Sequence, residues 1–191
     1  MSEYRDYMRA IVDRRIKHVT ERGDHIMMKW GKRLDGAIPP GLREDRDFLA
    51  KYAVGDGVDV MCGDFLIEEA IGVDKRRTVM GADFHFSAET LSFANKNSLD
   101  YIVSNYLEAV PNTIGALNEW YRTLKPGGIL AMICRDAEQY IQPAGALDSA
   151  HRQHTFNSTT IRHYIYRSGF VDVTIVVTPN QSLQCLAKKP L

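Results

Sequence analysis

The sequence has no excess of charge of either sign. Lysine plus arginine and aspartate plus glutamate number 24 each, so the formal net charge is zero. That argues against a nucleic-acid backbone as the main partner. Cysteine is scarce, with three in 191 residues. Cys62, Cys134 and Cys185 are scattered, odd in number and each in or beside an apolar run. They read as reduced thiols in a cytoplasmic protein. No Cys or His spacing suits zinc, so no metal is expected. No apolar run reaches the roughly 20 residues needed to span a bilayer, so no membrane association is expected. The charged stretch MSEYRDYMRAIVDRR does not read as a signal peptide. Linker composition, internal repeats and low complexity are also missing. What is left is an ordinary apolar content of 45%, enough to bury the core of one domain. We expect that domain to comprise a helical cap over residues 1–54 and a core over 55–191.

The most informative stretch is GVDVMCGDFLIEEAIGVD, from Gly57 to Asp74. Val58, Asp59 and Val60 read as a buried strand. It breaks into a tight turn at Met61–Cys62–Gly63–Asp64. A second short strand, Ala70–Ile71–Gly72–Val73, ends on the carboxylate of Asp74. In open α/β sheets, ligands bind outside the carboxyl ends of the strands. Gly63 lets the backbone approach a cofactor closely. An acid at the end of the second strand can accept both hydroxyls of a ribose. Lys75–Arg76–Arg77 follows as a basic turn, in which Lys75 is a candidate contact to a nucleoside or an anionic substrate. The connection between the two strands is short, with about ten residues where a dozen or more are usual. Its own covering helix is therefore missing or vestigial.

Downstream, LDYIVSNYLEAVPN from Leu99 reads as a central strand, and Ser104, Asn105, Tyr106 and Glu108 fall at its ligand-facing end. ALNEWYRTLKPGGILAMICRD from Ala116 reads as a helix, a Lys-Pro-Gly-Gly stop and a fifth strand. SGFVDVTIVV supplies the sixth. Together with the Gly57–Asp74 stretch, these runs resemble the class I S-adenosylmethionine-dependent methyltransferases, in their small methyltransferase 11-like variety. The resemblance covers about residues 55–189, most of a chain of ordinary single-domain length. It implies an α/β fold with a Rossmann-like methyltransferase sheet, mostly parallel, with an antiparallel C-terminal hairpin and a short first crossover. The family's first-strand pattern, acid–x–Gly–x–Gly–x–Gly, here reads Asp59–Val60–Met61–Cys62–Gly63–Asp64–Phe65. Only the middle glycine stands. Met61 fills space that the family leaves for the methionine part of the cofactor.

The resemblance implies S-adenosylmethionine as cofactor. Expected cofactor residues are Asp59, Met61, Cys62, Gly63, Asp74, Lys75, Ser87, Ala88, Ser104, Asn105 and Tyr106. Ser87 and Ala88 open the stretch that resembles the loop bordering the adenine. On the substrate side, Asp136 at the end of the fifth strand and His154 in the following loop are the candidate catalytic bases, with His151 and Asp148 as further candidates. Residues 24–46, with His25, Met28, Trp30 and Arg33, and residues 137–156 are the expected lids. The implied activity is methyl transfer to a small polar acceptor, such as a sugar, a nucleotide sugar or another metabolite. The alternative is a cofactor-binding or inactive partner subunit. A nucleic-acid or protein acceptor ranks last, and self-association stays open.

Periodicity places the remaining elements. Apolar spacing over residues 3–20 is helical, and that helix is the obvious element to cover the cofactor side or the face left bare by the short crossover. Further helices are expected over 43–52, 111–124 and from Asn157 or Ser158 to Ser168. An irregular third strand is expected over 78–86, and a hairpin over 171–177 and 182–188.

Overall fold

The computed structural model describes residues 40–63, 66–67, 70–79, 81–139 and 153–191. The chain divides into two compact units, Met1–Glu44 and Asp45–Leu191, and the sheet lies in the second. The helix expected over 3–20 and the lid residues 24–39 lie outside the described residues. The elements are α1 (Pro40–Ala50), β1 (Gly57–Val60), β2 (Ile71–Val73), β3 (Leu99–Asn105), a 3-10 turn (Leu107–Ala109), α2 (Thr113–Thr123), β4 (Leu124–Arg135), α3 (Ser158–Arg167), β5 (Val171–Val177) and β6 (Ser182–Lys188).

The six strands lie in the order β2-β1-β3-β4-β6-β5. β2, β1, β3 and β4 are mutually parallel, while β6 runs antiparallel to both β4 and β5. This is the mostly parallel sheet with an antiparallel end that the resemblance implies. In register, Val60 faces Val73 on one side and Ser104 on the other. Asn105 faces Ile133. The carboxyl ends of the four parallel strands therefore make one rim.

Alternation along the strands divides the core in two. Val58, Val60, Ile102, Leu130 and Met132 pack on one face with Leu117 and Trp120 of α2 and Ile161 and Ile165 of α3. Tyr101, Val103, Ala131 and Ile133 point to the other face. They are covered by Leu49 and Ile67, with Phe48 and Tyr52 alongside. Residues at the end of α1 and just beyond it thus cover the face that the short crossover leaves bare. Asp45, fully buried, fixes that end by accepting from Ser182 Oγ at 3.0 Å. Asn112 caps α2 by accepting from the Gly115 N–H, and Asn157 forms a capping box at α3; both are standard cap residues.

Two elements differ from expectation. Residues 78–86 form no strand among those described; the segment keeps only one bridge, Phe84 to Val73. Its Asp83 carboxylate accepts from the Gly72 N–H at 2.8 Å, while the Asp83 and Phe84 N–H groups both donate to the Gly72 carbonyl. Phe84 therefore lies beside β2 in parallel register, with the Asp74 N–H donating to its carbonyl at 3.1 Å, but the pairing extends no further. Lys125–Pro126–Gly127–Gly128 does end α2, but β4 then begins at once at Leu124 and runs through it. A register shift between the Leu99 and Tyr101 pairings absorbs the extra residues.

Candidate functional site

The turn after β1 is held by the strand beside it. The Met61 and Cys62 N–H groups both donate to the Val73 carbonyl, at 2.6 and 3.3 Å. Met61 has φ 62° and Gly63 φ 60°. The left-handed region is natural for glycine and costs about 1–2 kcal/mol for other residues. Met61 stands where the resemblance expects glycine, so a non-glycine residue holds the left-handed conformation here. Tyr106, at the end of β3, also has φ 62°. Both strained residues lie on the rim, a recurrent location for backbone strain.

Asp74 lies on the rim at the end of the edge strand β2 and is 5% exposed. Its Oδ1 accepts from the Arg76 N–H at 2.9 Å and from Arg76 Nε at 3.0 Å. Its Oδ2 accepts from Arg76 Nη2 at 2.8 Å and from the Gly63 N–H at 3.3 Å. Burial alone would raise the pKa of this carboxyl, but the bonds from Arg76 outweigh burial and hold it below the usual value. Asp74 is thus a firm carboxylate aimed between the β1 turn and the basic turn.

A cavity of about 400 Å³ opens at this rim. Of the residues expected at the cofactor, Met61, Asp74, Lys75, Ser87, Ala88 and Tyr106 line it. The Ser87–Ala88 wall is fixed from behind, because Trp120 Nε1 donates to the Ala88 carbonyl at 2.8 Å. Arg76, Glu108, Arg135 and Gln153 also line the cavity and were not chosen as site residues from the sequence. Arg135 donates to Ser182 Oγ at 2.7 Å and lies 5.9 Å from the centre of the Tyr106 ring, within cation–π reach. Arg76, two residues after Asp74, and Arg135, at a strand end, both carried a positional signal. Gln153 lies within the expected lid 137–156 and is brought to the wall by its N–H bond to the distant Glu108 carbonyl.

The other expected residues lie away from the cavity wall. Asp59 is buried, and its carboxylate accepts from the Ile67 N–H at 2.9 Å. Burial pushes its pKa up from 3.8 to about 7, against the pull of the Ile67 bond and of Arg46. Cys62 packs with Val79 and Ala82. Gly63 lies behind the lining, bonded to Asp74. The Ser104 hydroxyl is fully buried with no hydrogen-bond partner among the described residues. Asn105 Oδ1 accepts from the Tyr106 N–H. Asp136 is 3% exposed, and its Oδ1 accepts from the Glu138 N–H. His154 Nε2 meets the Pro111 carbonyl at 2.8 Å. It borders a second hollow of about 380 Å³, with Phe156, Thr160 and Tyr164 opposite. Gln153 lines both hollows. His151 and Asp148 lie outside the described residues. All three cysteines are buried free thiols. No described helix is long and apolar enough to cross a membrane.

Comparison with known proteins agrees with this architecture. Residues 50–132 match a family model described as a methyltransferase domain. No curated protein matches the sequence. Among solved structures, an S-adenosylmethionine-dependent methyltransferase of Thermotoga maritima superposes with a TM-score of 0.64 at 17% identity, over 90% of this chain and 98% of that one. Phosphoethanolamine N-methyltransferase 2 of Haemonchus contortus, solved with S-adenosyl-L-methionine, gives 0.63 at 14% identity over 80% of this chain. That match spans only 54% of the Haemonchus chain. The [4+2]-cyclase SpnF gives 0.60 at 16% identity, over 82% and 84% of the two chains. Residues 50–132 thus match the methyltransferase-domain family, and the fold is similar to that of solved S-adenosylmethionine-dependent methyltransferases.

Proposed function

We propose that the 400 Å³ cavity holds S-adenosylmethionine and that this chain transfers its methyl group to a small polar acceptor. The observation that carries the reading is the carboxylate of Asp74 at the end of β2, on the wall of a cavity at the carboxyl ends of four parallel strands. The volume lies within the range of small-molecule sites, and Met61, Ala88 and Tyr106 give it the apolar lining such sites have. Bound there, the cofactor supplies a methyl carbon made electrophilic by its sulfonium. Asp74 accepts the ribose hydroxyls. The Ser87–Ala88 wall borders the base. Met61 and Tyr106 exclude water from the reacting end. The residues then act mainly by positioning, which lowers a barrier by several kcal/mol without acid or base chemistry.

The acceptor, a sugar, nucleotide sugar or similar metabolite, enters from the hollow beside His154. Support for this side comes from Gln153, which borders both spaces. An alcohol acceptor needs a base for its proton, and Asp136 and His154 are the candidates. With Nε2 donating to Pro111, the His154 Nδ1 is the nitrogen left to take a proton. The reading sets the protein in the cytoplasm, in keeping with its buried thiols.

A second reading, an inactive partner subunit, is favoured by Met61 in place of glycine and by the occupied hydrogen-bond sites of Asp74. Titration calorimetry with S-adenosylmethionine and S-adenosylhomocysteine tests the cofactor site, and methyl transfer to an acceptor then separates an enzyme from a cofactor-binding partner. Micromolar binding that is lost with Asp74→Ala supports the cofactor site. Absence of binding to either compound would leave only the partner role.

A further inference from the structure

Asp74 and Arg76 line the same cavity, and each is engaged by the other. A carboxylate offers about four acceptor positions. Asp74 already receives four hydrogen bonds, two on each oxygen. Two come from backbone N–H groups fixed by the turns at Gly63 and Arg76. The other two come from the Arg76 guanidinium, one to each oxygen. Removing that side chain therefore frees one position on Oδ1 and one on Oδ2. Two adjacent ribose hydroxyls need that same pair.

We propose that Arg76 is a positioning residue that competes internally for Asp74, so that the cofactor enters only when its guanidinium turns away. This rests on the cofactor reading above. A second observation supports it independently of the carboxylate. The atom nearest to where a side chain on Gly63 would begin is Arg76 Nη2, at 3.7 Å. The guanidinium thus also lies beside the one glycine that lets a cofactor approach the β1 turn. Exposure sets which partner moves. Arg76 is 59% exposed and Asp74 only 5%, so the cation leaves toward solvent while the acid stays in place. The pair is then a latch with two positions. In the closed one, Arg76 preserves the charge balance of a buried carboxylate. In the open one, the ribose takes over the same two bonds.

The cost of such a latch appears in affinity. Apparent binding weakens by the fraction of molecules in the open position. An ion pair whose cation is more than half exposed holds that cation only modestly, so the penalty should be about three- to tenfold. S-adenosylhomocysteine is the suitable probe, since it lacks the sulfonium charge. Calorimetry should show Arg76→Gln binding it about three- to tenfold more tightly than wild type. Arg76→Lys should fall between, because lysine keeps the charge but not the two-pronged geometry. Raising salt should tighten wild type relative to Arg76→Gln, because screening weakens the pair. A residue that only stiffened the turn would give the reverse, weaker binding when removed and no relative gain with salt. Unchanged or weaker binding by Arg76→Gln, with wild type binding normally, overturns the latch alone. Binding by neither wild type nor Arg76→Gln overturns the cofactor reading, and the latch falls with it.

Discussion

Replacing Asp59 with asparagine should make the protein more stable above neutral pH. The carboxyl is buried and 2% exposed. Its pKa is raised from 3.8 to about 7, chiefly by burial. The folded state therefore binds a proton that the unfolded chain releases near 3.8. The stability this group contributes is fully present below that value. It is lost as pH rises toward about 7 and does not fall further above it. A displacement of that size is worth about 4 kcal/mol, which we take as a ceiling. Asparagine keeps an oxygen to accept the Ile67 N–H and carries no charge. Arg46 in turn loses the attraction of Asp59, so the net gain at pH 8 should be at least ~1 kcal/mol and below that ceiling. Urea unfolding of wild type and Asp59→Asn at pH 5, 6, 7 and 8 measures this. The difference between the two curves cancels every other titrating group. It should favour the variant increasingly from pH 5 to 7 and then level off. A flat difference, or a variant less stable at pH 8, would refute the argument that Asp59 sits in the fold as a largely protonated acid at low pH.

Other outcomes follow from the same geometry. Asp74→Ala should weaken S-adenosylmethionine binding at least tenfold by calorimetry, since hydrogen bonds to a charged group are worth about 1.5–3 kcal/mol; unaltered affinity would remove Asp74 from the site. Trp120→Ala should lower unfolding free energy by about 3–5 kcal/mol and free the Ala88 carbonyl, so cofactor affinity should fall together with the thermal midpoint. If Asp136 or His154 is the base, its alanine variant should lower turnover on the true acceptor by about 10²–10⁴-fold while cofactor affinity holds; full turnover in both variants would place proton removal elsewhere.

The sheet was legible because its strands announce themselves twice. Residues 101–103 and 129–134 are apolar throughout, as buried parallel strands are, and each run is bounded by polar or turn residues. Asp74, Met61 and Tyr106 could then be placed at the rim by counting from the strands. Contacts made across the chain were not legible. Nothing in the spacing of Asp74 and Arg76 says that the arginine folds back, because that depends on rotamer choice within the turn. The burial of Asp59 depends on Ile67 and Arg46 closing over it, which a reading of strand ends does not supply. The sequence offered residues 3–20, which lie outside the described residues, as cover for the cofactor side or the second face. Among the described residues, Phe48, Leu49 and Tyr52 cover the second face, since their own spacing also makes an apolar stripe. Of the strand expected over 78–86, only a parallel bridge at Phe84 is formed, beside the short edge strand β2.

The hydrogen bond between Asp45 and Ser182 has a consequence for synthesis. It joins residues 137 positions apart, and Ser182 also grips Arg135 on the cavity wall. A nascent chain with β1 to β4 already outside the ribosome still lacks β6, and with it the clamp on that wall. Closing so distant a contact comes late and slowly. The growing protein should therefore pass through a stage in which the sheet has largely formed but the pocket has one loose side, open to chaperones.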